Sequence, residues 1–184
     1  MLKPDVTIII TCGPGLGLYL PDALDSARRQ TTRCEIVVVF DRCRPPLDRV
    51  RLDDVLTYRC EFGNVQQARR AGLTCAHGQA VLFLDADNRL PPGFCDQAFR
   101  QLQRVSRADP RIAGIYPAIE YFDPQWKPHA RGKLSPPVWT REQFERHPGF
   151  QDACTLVWRH ALEVSWTETV GHDCLEDQDR KSVV

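Results

Sequence analysis

Ala80-Val81-Leu82-Phe83-Leu84-Asp85-Ala86-Asp87 decides the fold class. A short, wholly apolar run that halts at a pair of acids reads as a strand buried on both faces, ending at the rim of a sheet. Residues 6–10 and 36–40 are runs of the same kind, 55–60 is a weaker one, and 112–116 is another. Helical signals fall between them. Pro21 marks a helix start, with Ala23, Leu24 and Ala27 as its apolar stripe before Gln30. Asn64 can cap a helix from Val65, with Gln67 three residues on for a capping box and Gly78 as the stop. Pro91-Pro92 precedes a helix running to about Arg107. Strands alternating with helices predict an α/β fold with a mostly parallel central sheet flanked by helices.

Residues 119–137 turn to Pro, aromatic and basic side chains and read as a long loop, not a second domain. An apolar segment at 154–158 and the acidic Glu176-Asp177-Gln178-Asp179 follow. The expectation is one domain over residues 1–184. Residues 1–100 would bind the ligand and 101–184 would complete the site, and the short stretch after Asp177 leaves open whether the chain is truncated.

With Lys plus Arg and Asp plus Glu both at 24, no general field draws a polyanion, so nucleic acid is not an expected partner. At 42% hydrophobic and 26% charged, the composition is that of an ordinary globular chain. It lacks an apolar run of the roughly 18 residues that span a bilayer and begins without a secretion signal, so the expected compartment is the cytoplasm. Peripheral membrane association stays open. The eight cysteines are widely spread with no CxxC, and read as reduced thiols.

Asp85 and Asp87 lie two apart, and in a strand residues i and i+2 share a side, so two carboxylates would converge on one spot. A hard divalent cation with oxygen ligands is the natural compensator when phosphates also arrive. The same spacing suits an acid that caps the turn toward Pro91, and the pair alone does not decide between the two. A second strand end, 36–40, delivers Asp41 to the same edge, where ligands bind in open α/β sheets. Asp41 could accept the ring N–H of uracil, thymine or guanine; its other reading is a turn residue before Pro45-Pro46.

Taken in order, a strand into Thr11, a strand into Asp41, the Ala68-Arg69 helix and then Leu82-Phe83-Leu84-Asp85-Ala86-Asp87 resemble the family 2 glycosyltransferases. Glu176-Asp177 is similar to that family's late acidic pair. The resemblance implies a GT-A fold, a Rossmann-like nucleotide-diphospho-sugar transferase fold. It also implies inverting, hexosyltransferase-like transfer from a nucleoside diphosphate sugar, UDP-linked by preference, to a hydroxyl of a saccharide, lipid-linked or protein acceptor. It further implies that Thr11 and Asp41 hold the nucleoside and Arg69 the donor nucleotide. Asp85 and Ala86 would then lie against the ribose or sugar, Asp87 would bind Mn2+ or Mg2+, and Asp177 would be the base. Departures are local: Thr11-Cys12-Gly13-Pro14 replaces a Pro-Thr-Tyr-Asn-like segment, a single acid ends the second strand, and Arg70 stands where Asn is common.

Two other readings compete. Gly13-Pro14-Gly15-Leu16-Gly17 follows a strand as a dinucleotide fingerprint does, yet the third glycine is missing, with Leu18 or Leu20 in its place. A degenerate, binding-only protein is the other. His172, Trp126, Trp139, Trp158 and Trp166 receive no role, since core packing accounts for a tryptophan equally well.

Overall fold

The structure is a computed structural model that describes residues 3–117, 119–122, 128–132, 138–140 and 154–162. The apolar runs form its centre. Strand β1 (Val6–Cys12) lies between β2 (Cys34–Asp41) and β4 (Ala80–Asp85), with β3 (Leu56–Cys60) outside β2, all four parallel. Beyond β4 come β9 (Leu156–Trp158), β5 (Ile112–Ile115) and β8 (Val138–Thr140), completing the order β3-β2-β1-β4-β9-β5-β8. Strand β9 is antiparallel to both neighbours and β8 is antiparallel to β5, so β1 to β5 share one direction and two strands oppose it.

Helices α1 (Leu20–Arg28) and α3 (Phe94–Ala108) cover one face of the sheet and α2 (Val65–Thr74) the other. This double cover explains why the strands read as unbroken apolar runs: alternate side chains enter different cores. Ile8, Ile10, Val38, Phe40, Leu82 and Leu84 meet α1 and α3. Ile9, Val37, Val39, Val81 and Phe83 meet α2. Each such apolar side chain, fully buried, contributes about 1.5–3 kcal/mol.

Three expectations need correction. The second helix stops at Thr74 with Cys75 as its C-cap, short of Gly78; Gly78 instead sits hard against the backbone of Thr7. Residues 119–137 are not all loop. They contain the antiparallel hairpin β6 (Ile119–Phe122) and β7 (Pro128–Gly132), for which Ile119, Tyr121 and Phe122 supply strand propensity and Pro128 takes the tolerated first position. Strand β4 ends at Asp85, so Asp87 stands in the following turn and not on the strand with it. The seven described cysteines are all free thiols. Cys174 lies outside the described residues.

Candidate functional site at the carboxyl edge

The alternation that fills two cores also sorts the polar residues at the strand ends. Thr11, Asp41 and Asp85 keep phase with Ile9, Val39 and Phe83, so all three emerge on the α2 face. The β1–β4 register sets Thr11 directly beside Asp85, and the Thr11 hydroxyl donates to Asp85 Oδ1 at 3.1 Å. From α2, Arg69 Nη2 donates to the same oxygen at 2.8 Å. Arg69 is almost wholly buried, its side chain 5% exposed against 28% for Asp85, and its guanidinium lies over the Phe83 ring at 5.7 Å from the centroid. An arginine that sequence alone could leave as a solvated charge is therefore the anchor of the edge.

Asp41 is held from the neighbouring loop. Its Oδ1 accepts Gly63 N–H and its Oδ2 accepts Asn64 N–H, both at 2.9 Å. Gly63 adopts φ of +68°, a conformation that favours glycine. Asn64 in turn caps α2, its Oδ1 accepting Gln66 N–H at 2.8 Å and Gln67 N–H at 3.1 Å. Asp41 thus fixes the entry to the helix that carries Arg69, a link that its distance from Gly63 hides in the sequence. The acid ends a strand as expected, and its turn partners are Gly63 and Asn64, not Pro45-Pro46.

Ala86 falls on the other side of the sheet. Its methyl group is buried in the core against α1 and α3, and its N–H donates to Thr11 C=O at 3.1 Å, so the residue is wholly enclosed and presents no side chain to the edge. Asp87 faces solvent. Loss of solvation around the carboxyl, and then the charge of Asp85, push it above the usual value. Asp85 and Asp87 are thus electrostatic neighbours although only Asp85 belongs to the strand.

Cys12 and Cys43 flank the edge with their Sγ atoms 4.0 Å apart. Burial, and then Cys43, push the Cys12 thiol up to about 12, which suits packing better than nucleophilic chemistry. Trp158 also has a structural place: its Nε1–H donates to Ser106 Oγ at 2.8 Å and its ring meets Phe99 edge-on. Asp177, Glu176, Asp179, His172, Trp126 and Trp166 lie outside the described residues. A cavity of about 600 Å³ opens elsewhere, at the amino end of β2, lined by residues such as Arg28, Glu35 and Asp54. Its Arg28–Asp54 pair is internally satisfied at 2.6 Å, so the strand-end chemistry, not the concavity, locates the site.

Among the described residues no three His, Cys, Asp or Glu side chains gather as a metal cage. The donor set suits a different arrangement. One exposed carboxylate beside a second one can take a hard cation whose remaining positions are filled by phosphate oxygens and water.

A largely parallel sheet carrying phased carboxylates at its carboxyl ends, followed by reversed strands, defines the GT-A fold. The chain belongs to Glycosyl transferase family 2, whose family model matches residues 7–165. The crystal structure of S. aureus TarS 1-349 is similar, with a TM-score of 0.63 at 16% identity over 87% of this chain and 48% of that one. The same protein in complex with UDP gives 0.60 at 16% identity over 97% and 55%. Its complex with UDP-GlcNAc gives 0.59 at 17% identity over 87% and 47%. At such identities the likeness is one of fold, and the chain spans about half the length of these structures. No curated protein sequence matches it.

Proposed function

We propose that this chain binds a nucleoside diphosphate sugar, with uridine the preferred nucleoside, and transfers the sugar to a hydroxyl acceptor with inversion. The observation that carries the reading is the Thr11–Asp85–Arg69 cluster beside Asp41, a pre-formed polar edge on the α2 face. Asp41 spends one lone pair of each oxygen on the loop and keeps others for an imide N–H. Arg69 holds Asp85 in one orientation and offsets its charge, so its part in donor binding is to present Asp85 toward the ribose or sugar. The raised carboxyl of Asp87 supports a site for Mn2+ or Mg2+ shared with the diphosphate. When bound, that ion would stabilise the negative charge gathering on the departing diphosphate. The base would be Asp177, a role that rests on its similarity to the family's late acidic pair; it would take the acceptor proton on the face opposite the leaving group.

The test is calorimetry of UDP binding with Mn2+ or with EDTA, on the wild type and Asp87→Ala. UDP comes first because one similar structure holds UDP and another UDP-GlcNAc. Saturable binding that weakens roughly tenfold or more without metal, and likewise in Asp87→Ala, is expected. No binding under any condition would end the uridine reading and move the test to GDP and dTDP. Release of UDP from a UDP-sugar with acceptor then separates a transferase from a binding-only protein.

A further inference from the structure

Among the described residues, five large apolar side chains stand open to solvent: Leu18, Leu47, Leu56, Tyr58 and Phe62. Leu56 and Tyr58 belong to β3, the outermost strand. The other three follow the carboxyl ends of three neighbouring strands: Leu18 after β1, Leu47 after β2 and Phe62 after β3. Leu47 at 72% and Leu18 at 62% are the most exposed of all. A lone surface leucine needs no explanation. These two stand on loops that touch, since a Cβ added at Gly17 would lie 3.6 Å from Pro46 Cγ.

The charge around the two tips is one-sided. Loop 13–19, Gly-Pro-Gly-Leu-Gly-Leu-Tyr, carries none. Loop 42–49 carries Arg42, Arg44 and Arg49, all exposed, against the single acid Asp48. Asp48 pairs with Arg49 at 3.6 Å, and Arg42 turns back to donate to Glu61 C=O at 3.2 Å. Arg44 makes no ion pair among the described residues. Phe62, one strand further out, sits beside Glu61, and the basic excess at the tips belongs to loop 42–49.

We propose that loops 13–19 and 42–49 dock the carboxyl edge of the sheet onto an anionic lipid surface. Leu18 and Leu47 enter the headgroup boundary, and Arg44 and Arg49 meet the lipid phosphates. Stable attachment to a bilayer takes two signals, and apolar tips flanked by basic side chains supply both. A protein groove would ask for a continuous apolar patch, whereas here two apolar tips on touching loops share one arginine-bearing loop, 42–49. The proposal stands apart from the functional reading. It sets the donor edge toward the lipid surface whether or not sugar is transferred.

The test is co-sedimentation of the full chain with phosphatidylcholine vesicles and with vesicles containing about a third phosphatidylglycerol, at low and physiological salt. The comparison set is Leu18→Ser/Leu47→Ser and Arg44→Ser/Arg49→Ser, each checked for unchanged circular dichroism and UDP binding. Binding to the anionic vesicles alone is expected, weakened by salt. Each double variant should reduce it about tenfold, at roughly fivefold or less per arginine. No sedimentation with anionic vesicles at low salt would overturn the proposal. So would sedimentation that both variants leave unchanged, or a lipid-independent self-association that Leu18→Ser/Leu47→Ser abolishes. UDP binding read alongside keeps the two claims separate: its absence would sink the functional reading and leave the lipid result standing.

Discussion

Both edges of the sheet hold carboxylates away from water, but they are satisfied in different ways. At the amino edge, Glu35 Oε2 accepts the Thr7 hydroxyl at 2.7 Å and His77 N–H at 2.9 Å, while Oε1 lies 2.8 Å from His77 Nδ1. Thr7 Oγ1 in turn accepts Gly78 N–H at 2.8 Å, closing the network within the chain. Burial pushes the Glu35 carboxyl up, but these hydrogen bonds outweigh it and hold it below its usual value. At the carboxyl edge Asp41 and Asp85 are partnered just as fully, yet Asp87 beside them is pushed the other way. Glu35, Asp41 and Asp85 each receive hydrogen-bond donors from the fold, and Asp85 a counter-charge as well. Asp87, raised and exposed, is the acid that the proposed ion would use.

The largest effect should come from the partnered acid. Arg69→Met strips Asp85 of its guanidinium and should cost about 3 kcal/mol in urea unfolding, the lower end for breaking a buried pair, because Asp85 remains 28% exposed. Adding Asp85→Asn should restore most of that loss. A loss well under 1 kcal/mol would mean that Asp85 does not depend on Arg69, and the contrast between Asp85 and Asp87 would dissolve.

Gly78→Ala probes the opposite edge without touching a charge. The new Cβ would lie 2.5 Å from Thr7 N and 2.7 Å from Thr7 Oγ1, where the backbone cannot yield cheaply. A loss of about 2 kcal/mol is expected, with UDP affinity unchanged in the folded fraction. A change in affinity at constant fold would show that the two edges communicate.

Glu35→Gln should cost about 1 kcal/mol at neutral pH. Since the folded pKa of Glu35 lies below its ordinary value of 4.5, its charge stabilises the fold above that pH and the contribution fades as pH falls through the folded value. The gap between wild type and variant should therefore narrow in unfolding measured near pH 3. A constant gap would assign the whole effect to packing.

Much of this architecture is legible in the sequence because it is local. The runs at 6–10, 36–40 and 80–84 announce buried strands, and Asn64 announces the start of α2. Alternation also holds the phase of the site: once Ile9, Val39 and Phe83 are set on one face, Thr11, Asp41 and Asp85 follow, and Ala86 must turn into the opposite core. The rest depends on pairings across long stretches of chain. Nothing near Leu156 says that β9 inserts between β4 and β5, and nothing near Asp41 names Gly63 as its donor. Arg69 and Arg70 look alike in sequence, and only the rotation of α2 buries the first and exposes the second. The hairpin at β6 and β7 was hidden because its prolines and basic residues outweighed the strand propensity of Ile119, Tyr121 and Phe122.

The smallest effect carries the sharpest test of the contrast, because its sign is opposite. Asp87 has a folded pKa above its ordinary value of 3.8, so folding disfavours its charged form. Stability is full below that value and declines as pH rises through the folded one. Asp87→Asn removes the cost of desolvating the charge and the repulsion from Asp85, and should stabilise the free protein at pH 7 by on the order of a few tenths of a kcal/mol for so exposed a group. The gain should vanish near pH 3. Adding UDP and Mn2+ should then reverse the order, since ligand binding stabilises only the protein that still holds the ligand. Thermal unfolding of the two proteins, with and without UDP and Mn2+, reads all of this. If Asp87→Asn destabilises the free protein at pH 7, Asp87 has a structural partner after all, and the carboxyl edge is closed on itself like the amino edge.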